Sequence, residues 1–246
     1  MSRENDSRYF VDGDRIVVPA NPLDRKDESV LVFDPKFVGP TSYIGSGREL
    51  FQRGLDIPTA ENQLAFVHAA YCGPRDFRDH PNIHNFRYNL EHEGSLWVPT
   101  VNSPTDKGIY VFRDRKMRGK ITGMEVVLGD SVDRNLFPGV MAGRNDRVRL
   151  VNDSAYPRGS VEYLGDEDRG YVLATYGHHG PDLLNEVSDR IGYPINFVFP
   201  EIGMGVSSID LSDLDSFPRG IFLDGSNPDG SQDITGIIYG LKNLRG

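Results

Sequence analysis

The sequence predicts an α+β fold: a mainly antiparallel sheet, a helical cluster from about residue 46 to 93 and one later helix near 181 to 191. Three observations carry this. Helix start and stop signals recur between residues 46 and 94, the apolar period falls to two from residue 95, and turn formers are abundant, with 27 glycines and 16 prolines in 246 residues. Their share exceeds the roughly 12% of average usage, which implies short elements joined by many loops.

Residues 1 to 28 are polar apart from Arg15-Ile16-Val17-Val18 and read as a loose arm with at most one short edge strand. Residues 29 to 246 read as one globular domain, since no repeat, heptad run or low-complexity linker divides them. Leu31 to Phe33 is a second short strand, stopped by Asp34-Pro35. Ser46 and Glu49 match a capping box and Gly54 a left-handed stop, giving a helix of two turns. Thr59 caps a stronger helix through Leu64, Phe66, Val67, Ala70 and Tyr71, which Gly73-Pro74 ends just after Cys72. Its apolar content predicts burial on more than one side. A third helix starts at Pro81 and places Ile83, Phe86 and Leu90 on one face before Gly94.

Beyond residue 95, period-two runs at 96–98, 109–112, 124–128, 148–151 and 161–164 read as antiparallel strands. Gly170 to Tyr176 reads as a further strand, followed by a Gly-His-His-Gly loop and a helix opened by Pro181 with Leu183, Leu184, Val187 and Ile191 on one face. Strand candidates follow at 195–199, 206–209, 221–223 and 234–239. A parallel crossover from strand 170–176 through helix 181–191 to strand 195–199 also fits this pattern.

A chain of this length buries about three quarters of its unfolded surface, so it needs no disulfide or metal to hold a core. Cys72 is the one cysteine, which rules out an internal disulfide and a structural zinc site of the CxxC type. With a polar N-terminus and no window of about 18 apolar residues, the expectation is a soluble cytoplasmic protein without a membrane association. The net charge of -9 opposes non-specific attraction to nucleic acid.

Five constellations offer chemistry, each beside a plainer structural reading. Cys72 with a histidine is a thiol nucleophile in outline, but it lies at a helix C-terminus, whose negative dipole opposes a thiolate. His68, four residues earlier, shares its face and reads as core packing. His178 and His179 stand between an apolar run and a helix start, where an imidazole can hold an anion or act as general base, alone or with Cys72. The plainer reading is a polar turn. His80 and His84 have the i, i+4 spacing of zinc ligands, but Pro81 stands where a zincin has its glutamate, so exposed helix-cap histidines are the default reading. Asp224, Asp229 and Asp233 offer oxygens to calcium in a loop that lacks the closing Glu of an EF-hand, and turn chemistry alone is the preferred reading. Arg113, Arg115, Lys116, Arg118 and Lys120 concentrate positive charge, without the interleaved aromatics of a single-strand binder, and read as a solvated hairpin. Ile44-Gly45-Ser46-Gly47 lacks the third glycine and the lysine of a phosphate loop.

The functional reading is a non-enzymatic binding or interaction protein with a protein or small-molecule ligand. A hydrolase or transferase using His178 or His179, with or without Cys72, is the alternative. No residue pattern specifies a cofactor.

Overall fold

The computed structural model describes residues 6–92, 94–118, 134–143, 146–155, 159–199, 203–212, 219–228 and 235–242. With 31% helix, 36% strand and mostly antiparallel pairing, it has the α+β fold that the sequence predicts. A three-stranded antiparallel sheet comes first, in the order β1 (Phe10–Asp12), β2 (Arg15–Pro19), β3 (Val30–Phe33). The expectation of at most one short edge strand before residue 28 is thereby corrected. β2 is central because Ile16, Val17 and Val18 are buried while both edges of the strand are paired. Arg8 anchors the segment that precedes it, donating to the Asp24 and Asp27 carbonyls at 2.8 Å each.

Among the described residues, the second sheet has eleven strands. These are β4 (Val38–Thr41), β5 (Ser95–Thr105), β6 (Gly108–Arg113), β7 (Arg134–Phe137), β8 (Val140–Ala142), β9 (Val148–Asn152), β10 (Gly159–Val161), β11 (Ile195–Val198), β12 (Gly205–Ser212), β13 (Gly220–Pro228) and β14 (Gly236–Ile238). Their order is β10-β11-β13-β12-β5-β6-β9-β8-β7, with β14 pairing β4 and the start of β5. Two pairings are parallel, β11 with β13 and β14 with β5.

Alternation along β5 builds two cores, because successive side chains point to opposite faces. Leu96 and Val98 join Leu64, Phe66, Tyr171 and Ile209 on the face that the main helices cover. Trp97 and Val101 join Tyr43, Leu50, Phe112 and Val206 on the other. Stacked rings of Phe33, Phe66 and Phe86, at 4.7 and 4.4 Å between centroids, with Tyr239 edge-on to Phe66 and Phe86, tie the two sheets to the first core. Each such ring, fully buried, contributes on the order of 2–3 kcal/mol.

The helices are α1 (Tyr43–Gln52), α2 (Ala60–Cys72), α3 (Arg75–Arg78), α4 (Pro81–His92), α5 (Arg169–Tyr176) and α6 (Gly180–Ile191). α2 starts at Thr59 as expected and has a full capping box there: Thr59 Oγ1 accepts from the Asn62 N–H and the Asn62 side chain accepts from the Thr59 N–H. α1 starts earlier than expected, since Ser42 is its N-cap and Ser46 lies inside, buried. The apolar run 170–176 is helix α5 rather than a strand, and with it the crossover from a strand 170–176 falls away. β13 also runs on to Pro228, so Asp224 lies in a strand where a loop was expected. The strand candidate 124–128, Lys120, Asp229 and Asp233 lie outside the described residues. Among the described residues, no helix is long and apolar enough to cross a membrane.

Candidate functional site at the seam of two helices

α2 and α6 lie side by side and run in the same direction. Gly177, just before α6, meets Glu61 in the first turn of α2, while Glu186 in α6 meets Cys72 in the last turn of α2. Gly177 has φ +76°, and a Cβ there would come within 2.6 Å of a Glu61 carboxylate oxygen, so glycine sets the close approach at this end. At the other end Gly192 closes α6 in the left-handed conformation, φ 73°. On α6, Leu183, Leu184 and Val187 are buried, which turns Glu186 toward the solvent-facing edge of the seam.

Three side chains converge where α2 ends. His68 is buried at 4% exposure, and its Nε2 stands 2.8 Å from Glu186 Oε2. The Cys72 thiol, half-buried, donates to the Glu186 carbonyl oxygen at 3.4 Å. The imidazole nitrogen, the thiol sulfur and the carboxylate oxygen all lie within 4.8 Å of one another. His68 Nδ1 is buried without a hydrogen-bond partner. Tyr9 borders this cluster and packs edge-on against Phe77 at 5.5 Å. Burial pushes its phenol up to about 12; the acidic groups Asp6, Cys72 and Glu186 add to the rise, and Arg8 opposes it. Arg78 Nε donates to the Gly73 carbonyl at 2.9 Å, so one cation already serves the end of α2.

The opposite end of the seam holds the histidine pair. His178 and His179 are exposed; the His178 ring lies nearly parallel to Phe137 at 5.8 Å, and the two imidazoles meet edge to face at 5.3 Å. His179 Nε2 is 3.1 Å from the Asn21 side-chain nitrogen. Beside them Arg113 bridges Glu61 and Asp146 at 3.1 and 3.0 Å, and Asp146 pairs with Arg149 at 2.8 Å. Arg149 in turn donates to the carbonyls of Leu173 and Ala174, satisfying the last turn of α5. Burial alone would raise the Asp146 carboxyl, but Arg149, Arg113 and Arg134 outweigh it and hold the pKa below the usual carboxylate value. Cys72 is eleven residues along α2 from Glu61, about 16 Å at 1.5 Å per residue. The structure therefore places Cys72 and the His178–His179 pair at opposite ends of the seam.

The remaining candidates are scattered. His80 Nδ1 accepts from the Asn82 N–H at 3.2 Å as α4 begins, and His84 is exposed one turn on. Asp224 Oδ1 accepts from the Ser226 N–H and hydroxyl, each at 2.7 Å, a local turn-like bond within β13. Neither His80, His84 nor Asp224 belongs to the group of three donors at His68, Cys72 and Glu186. Of the basic stretch, Arg113 is committed to the ion network, while Arg115, Lys116 and Arg118 are exposed. Gly47 packs against Lys116 and Met117, so a Cβ there would clash at 2.7 Å; the glycine of the Ile44–Gly47 stretch serves packing.

Two groups escaped the sequence reading. Glu186 is 118 residues from His68 and carries no local motif; only the helical register of α6, which exposes position 186, hints at it. Asp210 on β12 accepts from Ser208 at 2.9 Å, and Ser208 accepts from Asn227 at 3.0 Å. Burial pushes the Asp210 carboxyl up to about 6; hydrogen bonds from Ser95 and Ser208 pull it back, and the nearby Asp224 charge adds to the rise. No protein-family model, curated protein or solved structure matches the chain.

Proposed function

We propose that the chain is a binding protein whose binding centre is the end of the α2–α6 seam, formed by His68, Cys72 and Glu186. The observation that carries this reading is the convergence of three different donor types, from two helices, within 4.8 Å at a half-exposed position. The alternative is a hydrolase or transferase, and its best case is now the same trio, in which Glu186 orients the imidazole beside the thiol. Two features favour binding over nucleophilic attack. The thiol donates its hydrogen to a backbone carbonyl, and it sits at the negative end of a 13-residue helix; both favour the protonated, unreactive form.

The two readings separate in one assay. Purified protein is incubated with p-nitrophenyl acetate, and separately with iodoacetamide followed by peptide mapping. Binding predicts slow alkylation at Cys72 and no steady ester turnover. Steady turnover above buffer that disappears in Cys72→Ala and falls in Glu186→Gln overturns the binding reading in favour of the hydrolase.

A further inference from the structure

We infer that the ligand of this centre is a divalent transition-metal ion of the zinc type, coordinated by His68, Cys72 and Glu186; the inference rests on the binding centre proposed above. The donor set points to the class of ion. Thiolate, imidazole and carboxylate together suit a borderline-soft cation, whereas calcium and magnesium demand oxygens. Ligands at about 2.0–2.3 Å from a tetrahedral zinc stand roughly 3.2–3.8 Å apart. The three donor atoms lie within 4.8 Å of one another, and Glu186, whose side chain is 55% exposed, has the freedom to adjust. His68 and Cys72 stand one turn apart on the same face of α2.

The imidazole presents Nε2 to the Glu186 carboxylate, so Nε2 is the nitrogen that would bind the ion, while Nδ1 meets no protein group. The electrostatics agree, because the features that oppose a free thiolate attract a cation: the C-terminal dipole of α2, the Glu186 carbonyl and the Glu186 carboxylate. Arg78 brings one positive charge to the same end, which opposes a cation in part.

Binding is written with its charges balanced. The Cys72 thiol loses its proton to solvent, its bond to the Glu186 carbonyl ends, and a sulfur–metal bond forms. Glu186 enters already ionised and His68 enters neutral. Thiolate and carboxylate together neutralise the dication, and three protein ligands leave a fourth position for water or a further ligand. No electron transfer is involved.

The test uses the full chain, stripped with chelator under reducing conditions and titrated with cobalt(II) as a spectroscopic substitute for zinc. One equivalent is expected to produce a thiolate-to-cobalt charge-transfer band in the near ultraviolet and the intense visible absorption of a tetrahedral site, both displaced by zinc. Cys72→Ser is expected to lose the charge-transfer band. Glu186→Gln, an exposed change that spares the core, is expected to weaken cobalt binding more than about tenfold, beyond the low end of what losing an outer-shell partner costs. His68→Gln repeats the loss, with circular dichroism to confirm that it folds. A folded wild-type protein without the charge-transfer band, or a band unchanged in Cys72→Ser, overturns the inference. The ester assay on the same samples keeps the two proposals apart. A cobalt-silent protein without turnover loses only the cation, a cobalt-binding protein with Cys72-dependent turnover keeps the cation and loses the non-catalytic reading, and a cobalt-silent protein with turnover loses both.

Discussion

The two ends of the α2–α6 seam share a scaffold and differ in how their polar groups are matched. At the start, every acidic group of the network faces a guanidinium: Glu61 and Asp146 meet Arg113, and Asp146 also meets Arg149. At the finish, an imidazole, a thiol and a carboxylate face one another, and the ion pair is only conditional, since it exists only when His68 is protonated. Helix dipoles sharpen the contrast, because Glu61 sits in the first turn of α2, at its positive end, whereas Glu186 meets the negative end of the same helix. The start of the seam is matched charge to charge, and the finish keeps one buried imidazole nitrogen, His68 Nδ1, without a protein partner.

The largest expected effect breaks the matched end. Arg149→Ala removes the partner of Asp146 and takes the guanidinium away from the Leu173 and Ala174 carbonyls at the end of α5, of which Leu173 keeps the Gly177 N–H as a donor. Losing one member of a buried, hydrogen-bonded charge network costs about 3–4 kcal/mol, read as a lower urea midpoint at unchanged slope. A loss below about 1 kcal/mol would show that the network is not what holds this end.

Asp210 tests the same rule in a carboxyl that meets hydroxyls instead of guanidinium groups. Its folded pKa of about 6 stands above the ordinary 3.8. The sign follows: its contribution to stability is complete below about pH 4 and is lost as pH rises through about 6, where the folded state must hold a buried charge. Asp210→Asn is expected to flatten stability between pH 4 and 6 and to raise it at pH 7 by about 1–2 kcal/mol after allowance for partial exposure. An unchanged pH profile in the variant would place the titration elsewhere. Asp146, held low by its arginines, has the opposite sign and loses stability as pH falls.

At Thr59 the prediction is smaller and concerns the start of α2 alone. Thr59→Ala removes the side-chain half of the capping box and costs about 1 kcal/mol by thermal or urea unfolding. That helix was legible in full from Thr59 to Gly73-Pro74, because a cap, an apolar run and a stop signal occupy one short stretch. α5 was not. Its residues from Tyr171 to Tyr176 are all buried, so no polar face imposes a helical period, and Val172 and Thr175 favour strand as much as helix. The site divides in the same way. The i, i+4 spacing of His68 and Cys72 could be read, yet its apolar neighbours Leu64 and Val67 argued for packing, and they do bury His68. What no local pattern could supply was Glu186, which reaches the pair only when α6 docks along α2.

The smallest expected effect is the most discriminating. Glu186→Gln keeps the size and exposure of a side chain that is 55% exposed, so the change in stability should stay within about 0.5 kcal/mol. Set beside the loss at Arg149, that near-zero value would mean that evolution of the fold had no use for the carboxylate as a structural partner, and that its place against His68 and Cys72 answers to a ligand. A cost above about 2 kcal/mol would instead make the trio a structural clasp, equal in kind to the network at the other end, and the contrast between the two ends would disappear.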